Sequence, residues 1–250
     1  MITRTALKEK IRKKVFITTL IISVFTSFCF SAGGATVTLN GAPITDPSVL
    51  LPVLISVLHL ISCAMAIVIS LGTIPIEYER NTHHLVLVRN VSVSRYHVGL
   101  SMANLIASLI AHVILFAGTF AFVIAKGQTN LLPNLFATCL YSGLSVSLVS
   151  LMASVLSIRL PKMAAGMICT VVMLAGAGYF FLDLLRSMMT GIVGTILNVV
   201  LQIIPNLYQI EKGAESFVNG GQFEWHAMWK ALLYCYIFMM GILLIRRKEQ

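Results

Sequence analysis

Residues 50–76 and 99–125 contain no Asp, Glu, Lys or Arg, and the runs 15–32, 131–157, 163–182 and 229–245 hold one charge between them, Lys230. In hydrocarbon every backbone N–H and C=O must be satisfied within the chain, which leaves only helices and closed barrels. These runs are continuously apolar, whereas barrel strands alternate over about ten residues. Each run approaches or exceeds the roughly 20 residues that cross a bilayer core as a helix, the last being the shortest. Composition agrees: 11% of the residues are charged, against about 25% in a soluble domain. The expected fold is all-α, a polytopic membrane protein whose single transmembrane domain fills 1–250. Six transmembrane helices are expected, at 15–32, 50–73, 98–125, 131–157, 163–182 and 229–245. The third and fourth are long enough to tilt or project, and Pro133 suits the opening turn of the fourth.

Lys and Arg orient the bundle. With the N-terminus cytoplasmic, the inner segments hold 14 of the 18 basic residues, and only Lys126, Arg186, Lys212 and Lys230 lie outside. The net charge of +9 is thus a topology signal and implies no nucleic-acid partner. Residues 187–204 could form a seventh span, but that would carry the basic tail "IRRKEQ" outward. The stretch is therefore expected to re-enter from, or lie along, the outer face, within an outer region at 183–228. The first run with its following "SAGGA" imitates a secretory signal and is expected to remain as a span. Before it, Leu7, Ile11 and Val15 share one face among basic residues, predicting an amphipathic helix over 1–14 along the inner leaflet. Its rival reading is a plain basic flank. "TVTLNGAPI" predicts a small hairpin turning at Asn40-Gly41. Phe223, Trp225 and Trp229 suit an outer aromatic belt, and Tyr78 and Tyr96 an inner one.

Motifs for chemistry are missing. The chain has no H-E-x-x-H, no G-x-S-x-G and no P-loop. Gly220-Gly221-Gln222 imitates part of an ATPase signature by coincidence. His83-His84 has no third ligand nearby, so no metal site is expected. Cys29, Cys63, Cys139, Cys169 and Cys235 all fall in apolar runs and read as buried small hydrophobes. His59, Asn104 and His112 lie deep in their spans, where polar groups face the bundle interior as interhelical hydrogen bonds or translocation-path contacts. Asp183 and Arg186 are spaced to pair on one helix face, or to serve an outer gate. Ala175 to Gly178 and Gly166 allow close helix approach.

The cytoplasmic connector at 74–97 concentrates charge: Glu77, Glu79, Arg80, Arg89 and Arg95. Pro75 is expected to end the second span, with a short charged helix after it. Two close acids there are unexplained by the positive-inside rule, which counts only Lys and Arg. A docking surface for a soluble partner explains them, since complementary charge sets register and choice of partner.

In this connector the chain resembles transmembrane subunits of ATP-binding-cassette exporters of the type-2 permease family. There, the second and third spans are joined by E-x-E-x-G-T, an apolar run, then P-x-S-R. This chain has Glu77-Tyr78-Glu79-Arg80-Asn81-Thr82, then "LVLV", then Ser94-Arg95. Asn81 stands where Gly is usual, Ser92 replaces Pro, and the spacing is about two residues longer. The likeness extends to the basic leading helix, six spans, the outer segment and "IIPNLYQIEKG". It implies a half-transporter with Glu77, Glu79, Arg80, Thr82, Ser94 and Arg95 at an ATPase interface. It further implies two copies of a separate ATPase subunit that hold the ATP and Mg, this chain holding no cofactor itself and being no enzyme. A second permease subunit, identical or paralogous, would complete the path in the cell membrane of a prokaryote, with both termini cytoplasmic. Export follows from the family alone, and the cargo is not legible. Two other classes stay open: a membrane immunity or assembly protein without transport, and an intramembrane enzyme using His59 or His112.

Overall fold

The computed structural model describes residues 2–11, 17–19, 21–25, 38–39, 42–43, 47–79, 91–189, 191–218, 221 and 224–245. Most of the first expected span, Asn40-Gly41, Arg80 to Asn90, Phe223 and the tail from Arg246 lie outside them. The helices are α1 (Ile2–Ile11), α2 (Pro47–Leu71), α3 (Thr73–Glu79), α4 (Val93–Ala125), α5 (Leu132–Arg159), α6 (Lys162–Ala177), α7 (Tyr179–Met188), α8 (Ile192–Ile203), α9 (Leu207–Val218) and α10 (Trp225–Leu244). Residues 17–19 and 21–25 are also helical. Strands β1 (Thr38–Leu39) and β2 (Ala42–Pro43) pair antiparallel with Leu39 opposite Ala42, leaving two residues between them as expected of the hairpin. Among the described residues four helical stretches are long and apolar enough to cross a membrane: Leu50–Glu79, Val93–Ala125, Thr129–Arg159 and Trp225–Leu244. The number rises to six if two bent helix pairs each count as one span.

The boundaries differ from expectation at physically readable places. The helix expected to end at Pro75 instead breaks at Gly72 and resumes as α3 through Glu79. Pro75 has no N–H for the carbonyl of Leu71 four residues back, so the ladder fails one turn before the proline. The third span begins at Val93, five residues early, because Ser92 caps it: the Ser92 hydroxyl accepts from the Arg95 N–H at 3.4 Å. Ser94 and Arg95 thus belong to a helix. The run 163–182 is not one helix; α6 and α7 meet at Gly178 with a 70° bend. Gly176 explains the seat of that bend, since a Cβ there would lie 2.5 Å from the carbonyl oxygen of Pro205. The expected outer element is likewise broken, α8 and α9 meeting at 57° across Pro205. Asn206 caps α9, accepting from the Gln209 N–H at 2.9 Å.

Helices α2, α4 and α5 form the centre, α5 being the most enclosed span and α10 the least. Leu51, Leu54, Ile55 and Leu58 of α2 meet Leu115 and Phe116 of α4 and Leu135 of α5 in one cluster. A second cluster joins α5 to α6, α9 and α10 through Val149, Met152, Cys169, Ile210 and Ala231. Helix α9 is thus inside the bundle, with Leu207, Ile210, Gly213, Ala214, Glu215 and Val218 buried, whereas α8 buries Leu201 alone. Helix α1 turns its half-buried face, Ile2, Thr3, Ala6 and Leu7, toward protein. Ile2 lies against Gly99, where a Cβ would come within 2.9 Å of it, and Leu7 packs with Ile69, Ala107 and Ala111. The expected stripe continued through Ile11 and Val15, whose side chains lie outside the description.

Candidate functional site

The two roots of the connector are the end of α3 and the first turn of α4, and four hydrogen bonds organise them. The Tyr96 hydroxyl donates to Glu77 Oε2 at 2.9 Å, and Tyr78 Oη lies 2.8 Å from His97 Nε2. One root is thereby stitched to the other through consecutive residues on each side. The Ser94 hydroxyl donates to the carbonyl of Leu243 at 3.1 Å, tying the α4 root to the last turn of α10. The Ser92 cap is the fourth bond. Beneath them Ile74, Tyr96, Leu100, Leu151, Ile158 and Ile242 form a closed apolar cluster drawn from α3, α4, α5 and α10. Of the expected docking residues, the structure therefore brings Glu77, Ser94 and Arg95 to one place. Glu77 is half-buried and engaged, whereas Glu79 and Arg95 are exposed and make no side-chain bond among the described residues. Arg80 and Thr82, with Asn81 and His83-His84, lie outside the description.

His59, Asn104 and His112 belong to a second feature, a polar seam where α2, α4 and α5 meet. Asn104 Nδ2 donates to the Ser154 hydroxyl at 2.9 Å and to the Ser70 carbonyl at 3.3 Å, while its Oδ1 accepts from Thr73 at 2.7 Å. One turn on, the Ser70 and Ser150 hydroxyls lie 2.9 Å apart and Ser108 donates to Ser150 at 3.4 Å. Further out, His112 Nε2 lies 3.0 Å from the Cys139 carbonyl, which can only accept, so Nε2 carries the proton. Nδ1 must then accept from Ser62, 2.9 Å away. Ser142, 3.1 Å from Nε2, donates to that same carbonyl. Both ring nitrogens are thus engaged, Nε2 as donor to the Cys139 carbonyl and Nδ1 as acceptor from the Ser62 hydroxyl. His59 is 2% exposed, and neither ring nitrogen has a partner among the described residues; the Ser101 and Ser145 hydroxyls are equally buried and unpaired.

Most of this seam escapes a sequence reading that stops at His and Asn. The available signal was spacing: His97, Ser101, Asn104, Ser108 and His112 recur every three or four residues on α4, the period of one helix face. At the opposite end the expected pair forms, Arg186 Nη2 to Asp183 Oδ1 at 2.9 Å, both about half exposed. Arg186 also donates to Asn198 at 3.1 Å, joining α7 to α8. A further cluster, unmarked in the sequence, seats α9: buried Glu215 accepts from Ser56 of α2 and pairs with Lys212 at 2.6 Å.

Compared with known proteins, the chain matches no protein-family model and no curated sequence significantly. What the geometry defines is a helical, membrane-type bundle with a braced, charged connector and a hydrogen-bonded polar seam.

Proposed function

We propose that the chain is the permease subunit of an ATP-driven exporter, with the 74–97 connector as its docking element for a separate ATPase. The observation that carries this reading is the bracing of the connector roots. Through Glu77–Tyr96, Tyr78–His97 and Ser94–Leu243, a load on the connector reaches α3, α4 and α10 together. A solvated loop needs no such bracing. The exposed Glu79 and Arg95 supply the unspent charge that a partner groove can match. In this reading the chain crosses the cell membrane six times with both termini cytoplasmic. The bent pair α8–α9 re-enters from the outer side, its second arm packed within the bundle. A second permease subunit completes the path, and two ATPase subunits hold ATP and Mg. Cargo moves as the bundle alternates between two packings of different affinity for it.

The test is co-purification of tagged chain from its native membranes in mild detergent, with ATP hydrolysis assayed on the product. Wild type is compared with Glu79→Arg, Arg95→Glu and Glu77→Ala/Glu79→Ala. Recovery of a P-loop ATPase with wild type, and its loss from the charge-reversed variants, supports the reading. If wild type retains its folded, monodisperse form yet brings down no ATPase, the reading falls and a binding or assembly protein takes its place.

A further inference from the structure

We propose that α4 has a second register against α2 and α5, one helical turn further toward the outer side, and that the polar seam is built to hold either. In the register seen, Asn104 faces Ser154, Ser108 faces Ser150, and His112 faces Ser62. Numbers rise on α4 as they fall on α2 and α5, so α4 is antiparallel to both. Among the described residues, the buried groups left unpaired include His59 on α2, Ser101 on α4 and Ser145 on α5 at the seam, with Thr119 and Gln128 beyond its outer end. Buried polar groups without partners are uncommon in native structures and need an explanation. Each of the three at the seam sits about one turn from a residue that is paired: His59 from Ser62, Ser101 from Asn104, Ser145 from Ser142.

A shift of α4 outward by three to four residues, about 5 Å, matches the one-turn ratchets known for packed helices. It would bring Ser101 opposite Ser154, Asn104 opposite Ser150, Ser108 opposite Ser145 and His112 opposite His59. The three orphans at the seam are thus the partners that the displaced register calls for. Small buried side chains on the three helices, including Ala66, Ala103, Ala107, Ala111 and Ala153, ease the slide along part of its length. Short hydroxyls exchange partners, while Leu115 and Phe116 of α4 move one turn along the α2 and α5 residues they pack on.

The shift also has to open contacts at the inner end. Helix α3 continues α2 across the single turn residue Gly72, so it stays with α2 and its Glu77–Tyr96 and Tyr78–His97 bonds to α4 open. Helix α1 rests on α4 at Gly99. The Ser94–Leu243 bond to α10 and the Ser23 bonds to the Ile114 and Leu115 carbonyls open as well. What would drive the shift rests on the proposed function, but the existence of two registers does not.

Disulfide trapping distinguishes the registers in purified chain in lipid nanodiscs, without any partner. The five native cysteines are replaced by alanine, and a protease site is inserted at Gly127, in the exposed turn between α4 and α5. Cleavage then separates the two helices unless a disulfide holds them. Asn104→Cys/Ser154→Cys reports the register seen, and Ser108→Cys/Ser150→Cys reports it again without removing the amide. Ser101→Cys/Ser154→Cys reports the shifted register. Ser108→Cys/Ser154→Cys lies a turn away in the opposite direction and reports general loosening. Oxidation is irreversible on this time scale, so it accumulates even a state populated at about 0.1–10%. All double variants are first checked for monodisperse elution.

Both reporters of the register seen are expected to cross-link. The Ser101/Ser154 pair is expected to join the fragments at least about fivefold more than Ser108/Ser154, the surplus coming from the trapped minor state. Equal trapping of those two pairs overturns the proposal, whether both are low, meaning one register, or both high, meaning unspecific breathing. Failure of both reporters of the register seen also overturns it. None of these outcomes bears on ATPase recruitment, which the co-purification decides separately.

Discussion

One amide, that of Asn104, joins three helical elements: it accepts from Thr73 on α3 and donates to α2 and α5. Individual interhelical hydrogen bonds in membranes contribute about 0.6 kcal/mol on average, but leaving buried partners unpaired costs about 1–3 kcal/mol. Asn104→Leu should therefore destabilise the bundle by about 2 kcal/mol, and Ser154→Ala by less. A double-mutant cycle in detergent unfolding should return a coupling near 0.6 kcal/mol, and zero coupling would show the contact to be incidental. A second residue-scale prediction concerns Gly176. A Cβ there meets the Pro205 carbonyl, a backbone atom that cannot rotate away, at 2.5 Å. Gly176→Ala should cost about 1–3 kcal/mol by overpacking, whereas Gly166→Ala, which meets only the end of Leu71 at 3.0 Å, should cost less. Unfolding midpoints of the two variants check the order. The roles of these residues were unevenly legible. Asn104 and His112 stood out because amide and imidazole groups are rare in apolar runs. Ser70, Ser150 and Ser154 did not, since a serine in a span carries no mark of which face it occupies until neighbouring helices are placed.

At the scale of elements, the break between α2 and α3 has one covalent cause, the missing N–H of Pro75. Pro75→Ala restores a donor for the Leu71 carbonyl, and α2 and α3 should fuse into one helix. Amide hydrogen exchange over residues 71–76 should then slow by about fivefold, as an added ladder bond of ~1 kcal/mol requires. Unchanged exchange would show that Gly72 breaks the helix on its own account. Caps account for two further boundaries. Ser92 starts α4 early and Asn206 starts α9 after Pro205, both as acceptors for otherwise orphaned N–H groups. The sequence pattern found the long helices because apolar length is a strong signal. It missed the bends at Gly178 and Pro205, because a run such as 163–182 is equally apolar whether straight or folded back. The bend is set by what Gly176 touches, and that partner is 29 positions away at Pro205.

For the whole molecule, the testable quantity is sidedness. The asymmetry of Lys and Arg predicts that Glu79 lies inside and Lys126 outside. In intact cells, Lys126→Cys should react with a membrane-impermeant maleimide and Glu79→Cys only after permeabilisation, in a background lacking other cysteines. The reverse pattern would invert the bundle and remove the connector from any cytoplasmic ATPase.

The amino-acid sequence by itself determined that this chain is a bundle of apolar helices and where most of them lie. Backbone hydrogen-bonding needs in hydrocarbon are local and leave no other choice. It also marked the charged connector, because charge amid apolar runs is conspicuous, and the i, i+3 pair of Asp183 and Arg186, because that contact is made within one helix turn. Only the tertiary structure decided that Glu77 bonds Tyr96 while Glu79 and Arg95 are exposed and without a side-chain bond among the described residues. It alone decided that α9 rather than α8 enters the bundle, and that the serines of three helices share one seam. Those outcomes are contacts between residues 19 to 159 positions apart. They depend on helix rotation and register, which lipid leaves undetermined because it rewards every apolar face alike and only specific packing and hydrogen bonds choose among them.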